Sequence, residues 1–261
     1  MEQLVDLGQM VTFLLVFTRL AAFIAVCPVF AIRGVPPAVK AGLAFVLALA
    51  LLPAAQAQAA PPPLDSFLGF ALALAKEAAV GLGLGIFTGL VFQGFLLAGQ
   101  YIGFQIGFAM AEMMNPGTEG ERALVSRLMW LFALVFFVSI DGHHLLIAGL
   151  AQSFELVPLG AALPQMKTTL FMAKTYGGLY LIALTVAAPV MAVLLATDAI
   201  LGLMVRMVPQ INVFMLGFPV KILAGLFALM VAVPVIGWVM TRAFGRMTED
   251  LLVLMKLLGS G

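Results

Sequence analysis

The sequence predicts an all-α integral membrane protein of about six long apolar helices arranged in hairpins. Three observations predict it. Of 261 residues, 64% belong to the set AVILMFWYC and 10% are charged, against about 45–50% and about 25% in an average soluble domain. The apolar residues fall in long, poorly interrupted runs, and a spanning helix needs about 20 such residues. No stretch alternates with the period of two that marks a strand. A globule of this length has too little interior to hide so much apolar surface, so lipid or neighbouring subunits must cover part of it. That excludes a solitary soluble enzyme and a disordered chain.

The runs follow one another in order. Val11–Ala31 carries one charge, Arg19. Ala41–Leu52 carries none and extends through Ala60. Phe67–Ala98 carries Lys76 and Glu77, and Ala123–Ala151 carries Arg127, Asp141 and both histidines. Leu170–Val205 carries Lys174 and Asp198, and Ile222–Met240 carries none. The third and fifth runs are overlong: at ~1.5 Å per residue each reaches roughly 50 Å, against a hydrocarbon core of about 30 Å. Each must tilt, project or bend, and Pro189 is a ready bend in the fifth. The start, with Glu2 and Asp6 where a signal peptide has basic residues, reads as a retained segment. Breaks are expected at Arg33–Pro37, in the stiff connector Ala59–Ser66, at Asn115–Gly120 and over Leu156–Pro164.

Basic residues should mark the cytoplasmic side, yet six simple spans put Arg33 and Lys40 on one side and Arg242, Arg246 and Lys256 on the other. Either the count of six is wrong or the helices are not ordinary lipid-facing spans, and the overlong runs favour the second. Glycines recur every fourth residue, at Gly81, Gly85 and Gly89 and again at Gly99, Gly103 and Gly107. That spacing lines each trio along one helix face, where a neighbouring backbone, in this chain or in another subunit, can approach closely.

Signatures of catalysis fail when checked. The 13 Lys and Arg against 12 Asp and Glu give net +1, so no electrostatic case for nucleic acid exists. Cys27 is the single cysteine, which forbids an internal disulfide and any multi-cysteine metal site. Gly81-Leu82-Gly83-Leu84-Gly85 lacks the further glycine of a dinucleotide fingerprint, and no phosphate-binding Gly-Lys pair or His-Glu-x-x-His occurs. The adjacent His143 and His144 diverge by about 100° on an ideal helix, which argues against one shared metal. No cofactor, metal or enzymatic activity is expected. Charges inside apolar runs are the better clue, because each costs about 2.5–3.5 kcal/mol at mid-bilayer on insertion scales. Arg19, Lys76, Glu77, Asp141, Lys174 and Asp198 must face protein, water or the interface, either as an ion or substrate path or as internal pairs, Lys76 with Glu77 for instance.

Three groups of residues then point to one family. The first is Phe17-Thr18-Arg19, Pro28-Val29-Phe30 and Val35-Pro36 to Val39-Lys40. The second is Ala98-Gly99-Gln100-Tyr101-Ile102-Gly103-Phe104-Gln105-Ile106-Gly107-Phe108, running into Asn115-Pro116-Gly117. The third is Asp141-Gly142-His143-His144 to Ser153-Phe154, then Gly202 to Arg206-Met207-Val208-Pro209-Gln210-Ile211-Asn212 and Gly217-Phe218-Pro219. In this order, over nearly the whole chain, they resemble the FliR/SctT family of flagellar type III secretion export-gate proteins. The chain departs from the family pattern at Asn115, where an aspartate is expected, which weakens any role for an acid in that loop.

The resemblance implies a non-enzymatic subunit of the bacterial flagellar export gate, in the inner membrane at the basal body. It implies assembly with FliP and FliQ into a channel for unfolded flagellar polypeptides, with an FlhB-like export component as a further partner. The related virulence-injectisome subunit is the alternative within the family. Residues 1–165 would correspond to a FliP-like part and 166–261 to a FliQ-like helical hairpin. Within that frame, residues 107–122 are the candidate pore loop, with Met110, Met113, Met114, Asn115, Pro116 and Gly117 as the gate. Flexible methionines can seal against varied surfaces, and irregular backbone is tolerated at membrane depth where it lines a cavity. Arg206, Pro209, Gln210 and Asn212 form a polar tip between two apolar helices, a candidate docking site. A secondary transporter would also use broken helices and intramembrane charges, but no inverted pair of interrupted segments is present. An integral-membrane enzyme lacks a nucleophile–base set.

Overall fold

Proline and glycine set the helix boundaries. A computed structural model describes residues 7–32, 34–56, 67–107, 124–161, 166–208 and 213–259. The helices are α1 (Leu7–Val26), α2 (Pro37–Gln56), α3 (Phe67–Ile106), α4 (Leu124–Ser139), α5 (Gly142–Leu156), α6 (Met166–Met207) and α7 (Val213–Gly259). Among the described residues there is no strand. Pro37 opens α2, where its fixed φ and missing N–H cost nothing. Gly34 precedes it at φ 98°, and Gly107 ends α3 at φ 102°; both are positions that an L side chain resists.

Among the described residues, five helices are long and apolar enough to cross a membrane, and α4 with α5 would make a sixth, broken span. The single run expected over Ala123–Ala151 is thus two helices. Its break is chemical: Asp141 adopts φ 57°, and the ring of Phe137 lies where a side chain on Gly142 would stand. The last helix also exceeds its expected extent of Ile222–Met240. It runs through Pro234 to Gly259, with Ala243, Phe244, Met247, Leu251, Leu254 and Met255 buried at helical spacing. α6 likewise continues through Pro189.

The chain forms two compact units, and neither is a consecutive stretch. The first comprises Met1–Leu90, Phe137–Tyr176 and Gly245–Gly261; the second comprises Val91–Phe136 and Gly177–Phe244. In the first, α1 packs on α2 and α2 on α5. Leu15, Val16, Leu20 and Phe23 of α1, Leu84 and Phe87 of α3, Leu150 and Phe154 of α5, and Leu254 of α7 fill its core. In the second, Phe92 and Phe95 of α3 and Phe136 of α4 gather around Phe244 of α7, with ring centroids 5.3 to 6.4 Å apart.

The first glycine trio lies against the segment formed by α1 and the turn after it. A Cβ on Gly81 would collide with the carbonyl oxygen of Arg19, one on Gly85 would stand 3.0 Å from that of Phe23, and Gly89 faces the Pro28 ring at 3.6 Å. In the second unit a Cβ on Gly99 would stand 2.5 Å from the Cα of Ser126, bringing α3 and α4 into backbone contact. Gly103 is buried on the same helix. Gly83, by contrast, has nothing within 4 Å.

Apolar side chains are far from exhausted by these cores. Only 17% of the spanning window of α2, 33% of that of α6 and 28% of that of α7 is buried. Leu223, Phe227, Met230 and Val231 of α7 are all more than 60% exposed, and their three- and four-residue spacing puts them on one face.

The glycine contacts yield a paired prediction. Gly81→Ala forces α1 and α3 apart and costs about 1–3 kcal/mol. Gly83→Ala removes backbone entropy from the unfolded chain and is neutral or stabilising by roughly 0.5–1 kcal/mol. Thermal unfolding in one detergent, followed by tryptophan fluorescence, should lower the midpoint for the first substitution and leave or raise it for the second.

Candidate functional site

A charge sealed from water inside an apolar bundle must find every partner in the protein. Arg19 of α1 and Glu77 of α3 are both 0% exposed and meet through Arg19 Nε and Glu77 Oε2 at 2.6 Å. The rest of the guanidinium addresses the end of α5. Nη1 donates to the Ser153 carbonyl oxygen at 3.0 Å and to Ser153 Oγ at 3.3 Å, and Nη2 donates to the Val157 carbonyl oxygen at 3.0 Å. The ring of Phe154 lies 4.6 Å from Arg19 Cζ. The last carbonyls of a helix have no intrahelical donor and carry the negative end of its dipole. The Ser153 carbonyl oxygen also accepts the Val157 N–H at 2.9 Å, so the forked cation adds a second bond there, answers the Val157 carbonyl and neutralises that end; only arginine offers donors in this fork.

Glu77 is answered from two sides. Its Oε1 accepts the Gly160 N–H at 2.8 Å, and Lys76 donates to the Gly160 carbonyl oxygen at 3.1 Å. Gly160, at φ 75°, is thereby held through both backbone groups. The neighbour pairing of Lys76 with Glu77 expected from sequence gives way to this arrangement, because adjacent residues on a helix diverge and Arg19 faces Glu77 across the glycine contact. Ser153, Val157 and Gly160 were missed in the sequence because they contribute mainly backbone atoms, which no residue pattern reports.

The second unit holds a lesser constellation. Asp198 of α6 accepts from Lys221 of α7, at 2.8 Å on Oδ1 and 3.0 Å on Oδ2, and from Gln105 of α3 at 2.9 Å. The aspartate and lysine side chains are 38% and 20% exposed, so this cluster ties three helices while keeping access to its surroundings. Lys174 is exposed.

Asp141 lies in the turn between α4 and α5, its side chain 78% exposed. It opens α5 yet makes no side-chain capping bond; its Oδ1 lies 3.4 Å from His144 Nδ1. The rings of His143 and His144, expected to diverge, have centroids 4.1 Å apart. The helix step of about 100° fixes the Cα–Cβ directions and not the side-chain rotamers, which bring the rings together. Asp141, His143 and His144 offer donor atoms that all lie within 4.8 Å of one another.

Other sequence-derived candidates fall elsewhere. Met110, Met113, Met114, Asn115, Pro116 and Gly117 lie outside the described residues, as do Pro209, Gln210 and Asn212. Arg206 is exposed in the last turn of α6. Gly107 faces the Phe218 ring, with an added Cβ 3.0 Å from it.

Residues 10–247 match the family described as bacterial export proteins, family 1. The chain is 35% identical to the flagellar biosynthetic protein FliR of Bacillus subtilis (strain 168), over 99% of both chains. It is 32% identical to the protein of that name in Escherichia coli (strain K12), over 84% of this chain and 82% of the relative. The likeness to the Aquifex aeolicus protein of the same name is 26% over 94% and 93%.

The buried pair carries a testable cost. Arg19→Met leaves Glu77 with the Gly160 N–H alone and takes the guanidinium donor from the Val157 carbonyl, and Glu77→Met strands the guanidinium; each costs about 3–5 kcal/mol. The double substitution costs less than the sum of the two. Midpoints of thermal unfolding in one detergent for the four proteins give the coupling, and strict additivity contradicts the pairing.

Proposed function

Because this chain belongs to the bacterial export proteins of family 1, we propose that it is a non-enzymatic subunit of the flagellar type III export gate. In this reading it forms, with FliP and FliQ, a channel for unfolded flagellar polypeptides in the bacterial inner membrane at the basal body. One observation carries the reading: the likeness to a flagellar biosynthetic protein extends over 99% of both chains, so it includes the loops and tips as well as the apolar helices that any membrane protein has. The structure supports it physically. The most deeply buried charges are paired within the chain, while α2, α6 and α7 keep most of their apolar surface uncovered. A subunit wrapped by other apolar subunits has that distribution.

Within the channel we assign residues 107–122 to the closed gate, with Met110, Met113 and Met114 as the seal and Asn115, Pro116 and Gly117 as its turn. Side chains that deform can close around nothing and still part for a polypeptide. Residues 1–165 then play a FliP-like part and 166–261 a FliQ-like part. The polar tip at Arg206, Pro209, Gln210 and Asn212 docks an FlhB-like export component.

One deletion tests gate and assembly together. Protein lacking Met110–Glu119 should still co-purify, in mild detergent, with two smaller and very apolar partners. Membranes containing it should leak small ions faster than those with the intact chain. Unchanged conductance contradicts the gate, and absence of the two partners from the intact protein contradicts the channel.

A further inference from the structure

We propose that Asp141, His143 and His144 form a binding site for a divalent transition-metal ion in the turn between α4 and α5. Zinc is the ion whose chemistry fits this donor set best. Two imidazoles and one carboxylate make a set that zinc takes in tetrahedral sites with one position left open, and imidazole also suits copper and nickel. The three donors come from four consecutive residues, Asp141-Gly142-His143-His144, and already lie within 4.8 Å of one another. Around tetrahedral zinc, with bonds of about 2.0–2.2 Å, donors stand about 3.3–3.6 Å apart. Rotations of the side chains of Asp141 and His144, 78% and 71% exposed, can close that gap, and their exposure is also the route by which an ion enters.

The conformation of the turn brings these donors together and leaves one ring nitrogen unanswered. Asp141 is, among the described residues, the non-glycine residue with positive φ, and such strain persists where the surroundings require it. Its carboxylate forgoes the capping bond that an aspartate at a helix start would ordinarily make and turns instead toward His144. His143 Nδ1 is buried with no hydrogen-bond partner, so one ring nitrogen of this imidazole is unanswered by protein. Gly142 holds the turn in place, since the Phe137 ring occupies the space of any side chain there. A metal on this triad leaves its fourth position for water or for a side chain of a neighbouring subunit.

The composition makes the test clean. The chain has two histidines, both in this turn, and Cys27 is buried, so any metal–imidazole bond reports this site. Full-length protein carrying a tag free of histidine, stripped with chelator in detergent, should bind one Zn2+ in competition with a chromophoric chelator. Asp141→Asn and His144→Gln should each weaken binding at least tenfold, and the double variant His143→Gln/His144→Gln should abolish it. Co2+ added to the unmodified protein should give the intense visible bands of a tetrahedral ion, which Zn2+ then removes; this readout needs no variant to fold. Equal Zn2+ affinity in the double variant, or a Co2+ spectrum of a six-coordinate aqueous ion, overturns the proposal.

Discussion

Where water is excluded, every charge and every free backbone group must be answered by protein, and the first compact unit is organised around that constraint at Arg19. One guanidinium joins three elements: it pairs with Glu77 on α3, donates to the Ser153 and Val157 carbonyls at the end of α5, and reaches both from α1. The pair exists only because Gly81 lets α1 and α3 come within backbone contact at the level of Arg19 itself. Glycine spacing and buried charge are therefore one device: the close approach supplies the geometry, and the ion pair makes any other register expensive. Glu77 passes the constraint on to Gly160, so the backbone after α5 is fixed by the same network.

Much of this was legible in the sequence. Composition and run length give an all-helical membrane protein, and the insertion cost of charge marks Arg19, Glu77 and Asp198 as residues that need partners. The identity of the partners was not legible. Arg19 and Glu77 are 58 residues apart, and which faces meet depends on helix rotation rather than on local pattern. The extension of α7 beyond Met240 was hidden by its charges, although buried Ala243, Phe244, Met247, Leu251, Leu254 and Met255 keep helical spacing. The break at Asp141-Gly142 lay inside an apolar run, where hydropathy overrode a turn-forming dipeptide. The convergence of the two histidine rings could not be read from the helix step, which sets Cβ directions and not side-chain rotamers.

The second constraint concerns surface. Burying apolar area is worth about 25 cal/mol per Å2, and α7 leaves Leu223, Phe227, Met230 and Val231 largely uncovered on one face. Such a stripe is stable in lipid or against other apolar helices, and membership of an export family favours the second. The half-buried cluster of Asp198, Lys221 and Gln105 fits a setting where one side of the helix pair meets further protein. Arg242 stacks on the exposed ring of Trp238 at 3.9 Å, a pairing of cation and aromatic that suits the boundary between apolar and polar surroundings.

What covers the α7 stripe decides the account. Photo-reactive amino acids placed at Phe227 and Met230, activated in native membranes of motile cells, should join this chain to other apolar membrane subunits in high yield. Adducts with phospholipid alone at both positions, from a chain that migrates as a monomer, would contradict an export-gate subunit enclosed by its neighbours.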